Sequence, residues 1–299
     1  MINSAVQLLK ENENLYKDTY DHILIDEYQD ISTQRYELIR ELMNKNPNCK
    51  LFCVGDDWQS IMGFAGSNLN FFVNFDEYFN HPAKTNLTKN YRSISSIVDA
   101  GRCIMKNNVG QIKKETVSYS EEKRPLVVFY SLHTKYDYED CYEQIAKHSL
   151  EKIKEYIDKG YRYDDFMILL RIIKKTRLRN FITEYAEKLN IPLSEEPDIP
   201  NHVHIMSVHK SKGLQARAVI ILCVDKDLYG FPCELENPDI FATAIRNNDG
   251  LREQEERRLF YVAITRAKEE VIMYTGKYFE SKFITEIKDF VKTEELNIN

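Results

Sequence analysis

Short apolar runs rich in β-forming residues alternate along this chain with longer amphipathic stretches. That alternation constrains the fold more than any other feature. The runs fall at residues 22–25, 51–54, 126–129, 166–170, 203–207, 219–224 and 270–274. Several carry no polar alternate, which is the pattern of strands covered on both faces. Helical periodicity occupies the intervals 33–44, 94–107, 138–159 and 175–189. The alternation predicts an α/β fold built on a parallel sheet with helices on both faces. In such sheets the working residues are expected just past the carboxyl ends of the strands.

Composition narrows the functional class. Apolar residues make up 43% and charged residues 29% of the 299, a globular balance. The formal net charge of −6 gives no bulk attraction to nucleic acid, so any such site must be a local patch. Two segments are locally basic. Residues 84–114 carry seven bases against one acid, Asp99, and residues 171–179 carry five bases and no acid. Such runs are usually solvated helix faces, but they also suit a track for a phosphate backbone. No apolar run approaches the roughly 18 residues of a membrane helix, and no signal-peptide pattern follows Met1. A soluble, cytoplasmic chain with no membrane partner is expected. None of the six cysteines forms a C-x-x-C pair, and Cys53 and Cys223 lie inside apolar runs. Reduced, packed thiols are expected rather than a zinc site.

Two segments carry chemistry. HILIDEYQD, residues 22–30, is an apolar strand ending in Asp26-Glu27. Two carboxylates at a strand end suit nucleotide hydrolysis, Asp26 in the shell of a Mg²⁺ ion and Glu27 orienting or deprotonating the attacking water. Alone, the pair reads equally as a solvated strand end or the approach to a helix N-cap at Ser32. CVGDDWQSIMGFAGS, residues 53–67, is a second apolar strand ending in Gly55-Asp56-Asp57, with Gln59 placed to sense a γ-phosphate. Phe64 offers a face for stacking a base, and Trp58 reads as core.

At this spacing the two segments resemble motifs II and III of the UvrD/Rep type of superfamily 1 helicases. TNLTKNYRS (85–93) resembles motif IV, HIMSVHKSKGLQARAVIIL (204–222) motif V, and EERRLFYVAITRAKEEVIM (255–273) motif VI. The variants DDWQ, FAGS and KGLQA are similar to the helicase IV branch. The resemblance implies RecA-like P-loop NTPase domains, ATP and Mg²⁺ as cofactors, and single-stranded DNA as partner. It also implies an ATP-dependent 3′ to 5′ DNA helicase or single-strand translocase.

Carried over by position, the resemblance makes Asp26 and Glu27 the Mg²⁺ and water residues and Gln59 the γ-phosphate sensor. Tyr91 becomes the adenine-stacking ring, and Arg92 and Arg266 two arginines on the transferring phosphoryl group. Gly213 and Gln215 become nucleotide contacts, Gln215 standing where the family usually carries a Glu to the ribose. Phe64, His209 and Lys210 become contacts to the strand. Met62 and Ala65 replace the usual Tyr and Arg, so no contact is carried over to them.

No G-x-x-x-x-G-K-[ST] phosphate cradle occurs in the sequence. Its one Gly-Lys pair is Gly276-Lys277, followed by Tyr278. The resulting expectation is a carboxyl-terminal portion of a helicase. Residues 1–82 would form the rear part of a first RecA-like domain. Residues 83–299 would form a complete second one, with the accessory 2B insertion absent or minimal, since Arg92 and Ser207 lie only 115 residues apart. The missing amino-terminal P-loop half would come from the same gene or a complementing chain, and this chain alone would be inactive. Asp26, Gln59, Arg92 and Arg266 would then serve a single nucleotide crevice. The alternatives are a non-catalytic module that binds single strands or a partner protein, and a truncated helicase remnant.

Overall fold

The computed structural model describes residues 1–131, 138–173, 177–226, 230–233 and 249–296. The chain forms two compact units, one of Met1–Asn86 with Val109–Lys113, the other of Leu87–Asn108 with Lys114–Asn299.

The first unit begins with α1 (Ile2–Glu11), β1 (His22–Ile25), α2 (Thr33–Lys45) and β2 (Lys50–Cys53), followed by the short helices α3 (Asn70–Val73) and α4 (Phe75–Tyr78). Ser32 caps α2, its Oγ accepting from the Arg35 N–H. β1 and β2 pair in parallel, Ile23 beside Leu51 and Ile25 beside Cys53. One face of this pair packs into a core around Tyr28, Ile31, Ile39 and Phe71. Aromatic contacts dominate that core, with Tyr36 stacked on Phe71 at 4.2 Å. The opposite face is open. Leu24 is 72% and Phe52 60% exposed. These two strands are therefore not among those covered on both faces. Strands pointing alternate side chains to opposite faces bury only one set when a single layer packs against them.

The second unit begins with β3 (Lys89–Asn90), α5 (Ser95–Met105), β4 (Val117–Ser118), β5 (Leu126–Ser131) and α6 (Tyr138–Ile157). It continues through β6 (Phe166–Leu170), α7 (Arg177–Lys188), β7 (Leu193–Ser194), β8 (Val203–Ser207), β9 (Ala216–Ile221), α8 (Asp249–Ile264), β10 (Ala267–Gly276), α9 (Lys282–Glu286) and β11 (Val291–Glu295). A seven-stranded sheet runs in the order β11-β5-β10-β9-β6-β8-β7, with parallel pairing throughout. Phe166, Ile168 and Leu170 of β6 pack with Ile145, Leu150 and Ile153 of α6 and Leu178 and Ile182 of α7. Their neighbours Met167 and Leu169 point to the other face and are buried too. There α8 packs on β9 and β10, and α5 on β10 and α8. Helices thus cover both faces, and β6 is buried along its whole length.

The helix expected at 175–189 is observed as Arg177–Lys188; residues 175 and 176 lie outside the described residues. Lys174 and Lys175 of the basic segment lie outside them as well.

The two sheets differ in burial, and this gives a stability test. Ile220→Ala removes a fully buried side chain and is expected to cost about 2–5 kcal/mol. Leu24→Ser, on the open face, is expected to stay within about 0.5 kcal/mol. Urea unfolding of both variants checks this. A multi-kcal loss for Leu24→Ser would contradict an uncovered face.

Candidate functional site

In the first unit the polar residues gather past the carboxyl ends of β1 and β2. Asp26 is exposed there, its Oδ1 accepting from the Glu27 N–H at 2.8 Å. Glu27 takes a left-handed backbone (φ 51°), which turns the chain directly into the 3₁₀ turn Tyr28–Asp30. Gln29, fully buried in that turn, links the two strand ends. Its Nε2 donates to Glu27 Oε2, and its Oε1 accepts from the Asp56 N–H at 2.9 Å. Asp56 Oδ2 in turn accepts from Gln59 Nε2 at 2.7 Å. Glu27, Gln29, Asp56 and Gln59 thus form one hydrogen-bonded chain.

Gly55 makes this approach possible. A Cβ at that position would lie 2.4 Å from Gln29 Oε1 and 2.7 Å from the Phe72 ring. Gln29 is not among the residues that the motif resemblance singles out. Its signal was available in DEYQD followed by a strand ending in Gly, but only the fold brings the two together. Phe64 sits on the turn Gly63–Ala65 with its ring exposed, whereas Trp58 is buried, as expected of a core residue.

In the second unit the expected residues lie at two separate ends of the sheet. Arg92, which follows β3, is exposed. Its Nε donates to Gln215 Oε1 at 3.1 Å and its Nη1 to the Thr265 carbonyl at 3.4 Å. Arg266 is buried, donating from Nε to the Val262 carbonyl (3.1 Å) and from Nη1 to the Leu214 carbonyl (3.2 Å). Gly213, with φ 83°, supplies the left-handed turn from which Leu214 and Gln215 reach the two arginines. The structure therefore brings together Arg92, Gly213, Gln215 and Arg266. They lie before β9 and β10, at the amino ends of those strands. The candidate residues thus follow the strands in the first unit and precede them here. The reason is topological: the turn that follows β8 runs back to the start of β9 before the chain re-enters the sheet.

Tyr91 is exposed and stacks on Tyr119, ring centroids 5.1 Å apart. Asn90 Oδ1 accepts from the N–H groups of Arg92 and Ser93, both at 2.9 Å, and fixes the turn that carries Tyr91 and Arg92.

His209 and Lys210 lie at the other end, past β8. His209 is half-buried beside Arg171, and burial, reinforced by that guanidinium, pushes its pKa down to about 4. At neutral pH it is an uncharged ring, able to stack or hydrogen-bond but not to pair with a phosphate as a cation. The Lys210 ammonium donates to the Glu195 carbonyl at 2.7 Å and lies 3.5 Å from the Glu196 carboxylate.

Two bases of the segment 171–179 are paired with acids, while Arg177 is exposed. Arg171 forms a buried bidentate pair with Glu256, and Arg179 pairs with Glu195. Arg257 is likewise buried, against Glu253 and Glu286, and does not solvate a helix face.

No group of three His, Cys, Asp or Glu side chains forms a metal cage among the described residues. Mg²⁺ is commonly held by one or two carboxylates together with substrate phosphates, and exposed Asp26 is such a carboxylate. Among the described residues no helix is long and apolar enough to cross a membrane.

Comparison with known proteins places these arrangements. The sequence model of the UvrD/REP helicase N-terminal domain matches residues 1–80, and that of the UvrD-like helicase C-terminal domain matches residues 173–278. The chain belongs to the UvrD-like helicase family. DNA helicase IV of Escherichia coli (strain K12) is 29% identical over 291 residues, covering 97% of this chain and 38% of that protein. A probable DNA helicase of Mycoplasma pneumoniae is 27% identical over 315 residues, covering 99% of this chain and 53% of its own length. A putative ATP-dependent DNA helicase, YjcD, of Bacillus subtilis is 33% identical over 174 residues, 57% of this chain and 22% of that protein. The chain thus spans from about a fifth to about half of the length of these UvrD-like relatives. The helix-covered parallel sheet of the second unit is the RecA-like architecture of the family.

The Gln29 bridge gives a direct test. Gly55→Ala should force Gln29 off Asp56 and destabilise the first unit by about 1–3 kcal/mol, the usual cost of overpacking. Unfolding followed at Trp58, the sole tryptophan, reads that unit alone. An unchanged midpoint would contradict the close approach.

Proposed function

We propose that these residues are the carboxylate-and-arginine part of an ATP-hydrolysing site that drives a helicase of the UvrD type along single-stranded DNA. The observation that carries the reading is the convergence of Arg92, Gln215 and Arg266, far apart in sequence, on one turn before β9. The relatives' names, ATP-dependent and DNA helicases, point the same way.

In this reading Glu27 orients the attacking water and accepts its proton. Gln59 senses the γ-phosphate, and the Gln29 bridge transmits a shift of Gln59 to Glu27 through Asp56. The exposed Arg92 guanidinium takes up charge on the equatorial oxygens, for which its planar fork is suited. Arg266 fixes the Leu214 carbonyl from beneath and reaches a phosphate only after releasing it. Asp26 would hold Mg²⁺ together with the phosphates, and the ion would neutralise charge developing on them.

The contacts to single-stranded DNA are Phe64 in the first unit and His209 and Lys210 in the second, with stacking supplying affinity independent of sequence. The polarity is that implied by the family resemblance, 3′ to 5′. Residues 1–82 act as the rear of one RecA-like domain and residues 83–299 as a second. The phosphate cradle, for which these 299 residues contain no G-x-x-x-x-G-K-[ST] segment, comes from other polypeptide.

The test is ATPase measurement with and without a polypeptide carrying that cradle. The chain alone is expected to hydrolyse ATP at background. The complemented protein is expected to show DNA-stimulated turnover that Arg92→Ala lowers by about 10³-fold or more. Asp26-dependent, DNA-stimulated turnover by the chain alone would contradict the external cradle. Complemented turnover indifferent to Arg92→Ala would contradict the site.

A further inference from the structure

The Tyr91–Tyr119 pair carries an inference that rests on, and extends, the assignment of Tyr91 to a nucleobase. β3 and β4 form a two-residue parallel ladder, Lys89 beside Val117 and Asn90 beside Ser118, closed by the Tyr119 N–H donating to the Asn90 carbonyl at 2.7 Å. Ser118 Oγ donates to the Ser93 carbonyl at 2.7 Å and locks the same corner. The ladder leaves Tyr91 and Tyr119 side by side just beyond its end. Their rings stack at 5.1 Å with planes 30° apart, and the Lys89 ammonium lies 4.9 Å from the Tyr119 centroid.

Two exposed rings held this way differ from core aromatics. Tyr91 remains 74% and Tyr119 64% exposed while they touch. Each ring therefore keeps surface in solvent, and Tyr91 keeps most of one face. An exposed tyrosine on its own samples several rotamers, and ordering it on a ligand costs entropy. Tyr119 removes that cost beforehand by packing against one face of Tyr91, with Lys89 on the ring quadrupole holding Tyr119 in turn.

We propose that Tyr119 is a positioning residue. It orients Tyr91 so that the free face of that ring receives a planar nucleobase, with Asn90 setting Arg92 alongside for the phosphates. The chemistry recognised is a base with an attached phosphate, whether from a nucleoside triphosphate or from a strand.

2-Aminopurine riboside triphosphate tests this, because its fluorescence is quenched when the base stacks. It is titrated into the chain complemented by a polypeptide carrying the phosphate cradle, as wild type and as Tyr119→Ala, Tyr119→Phe, Tyr91→Ala and the double alanine variant. A single-stranded oligonucleotide carrying 2-aminopurine is run in parallel. Wild type and Tyr119→Phe are expected to quench alike with at least one probe, and the probe that responds identifies the source of the base. Tyr119→Ala is expected to weaken binding about three- to ten-fold, the scale of one aromatic pair. The double variant is expected to be no weaker than Tyr91→Ala.

If Tyr91→Ala weakens binding and Tyr119→Ala does not, the role of Tyr119 is overturned while Tyr91 stands. Equal losses that multiply in the double variant would likewise overturn positioning through Tyr91. If neither probe is quenched, or Tyr91→Ala changes nothing, the assignment of Tyr91 itself falls and this inference with it.

Discussion

The register between β9 and β10 is the constraint on which the second unit's chemistry depends. Ala216 lies beside Ala267, so the residues just before each strand, Leu214-Gln215 and Thr265-Arg266, are neighbours. The pairing shifts register by one residue between Ala267 and Glu270, and the fully buried Val219, Ile220 and Ile221 then pair in step with Val271, Ile272 and Met273. The amino ends are further stitched by charge. Arg217 donates to Glu269 at 2.9 Å and Arg124 to Glu270 at 2.5 Å. Partly exposed pairs of this kind contribute at most about 1 kcal/mol each, so they align the ends while apolar burial holds the sheet.

The first unit reaches a comparable arrangement by different means. Its two short strands offer little burial, and the positions of Glu27 and Gln59 rest on one buried amide, Gln29, and on the missing side chain of Gly55. An amide is suited to this because it both donates and accepts. The chain then returns at Val109–Lys113, where Asp57 Oδ2 accepts from the Ile112 N–H at 2.8 Å and the Asp57 carbonyl from Gln111. The buried Asp57 carboxylate thus ties a distant segment beneath the loop that carries Asp56 and Gln59.

Much of this fold is legible in the sequence, where burial imposes a period. Residues 22–25, 166–170 and 203–207 read as strands because their apolar runs have sharp ends, and the observed bounds match. The helix α8 shows no one-sided stripe, since its polar, partly exposed residues 252–255 are followed by Leu259, Phe260, Val262, Ala263 and Ile264, which are buried on more than one side. β11, VKTEE, is a largely exposed edge strand whose polarity hides it. Of the candidate site, motif spacing singles out the charged residues, and the structure groups Arg92 and Arg266 around the turn of Leu214 and Gln215. Their surroundings are not legible in that spacing. Gln215 reads as a ribose contact by resemblance, yet its side chain holds Arg92. Arg266 reads as a phosphate ligand, yet it is packed beneath the turn. Tyr119 has no sequence signal at all, because the ladder that brings it to Tyr91 is two residues long.

The account stands or falls on whether Asp26 and Arg92 serve the same ATP. The most direct measurement is kcat for Asp26→Asn, Arg92→Ala and the double variant in the ATPase-competent protein. Groups that act as a unit on one reacting phosphate are strongly non-additive. The double variant is therefore predicted to be no slower than the slower single variant. Two losses that simply multiply would contradict the account, because they would mean that the carboxylate and the guanidinium act independently.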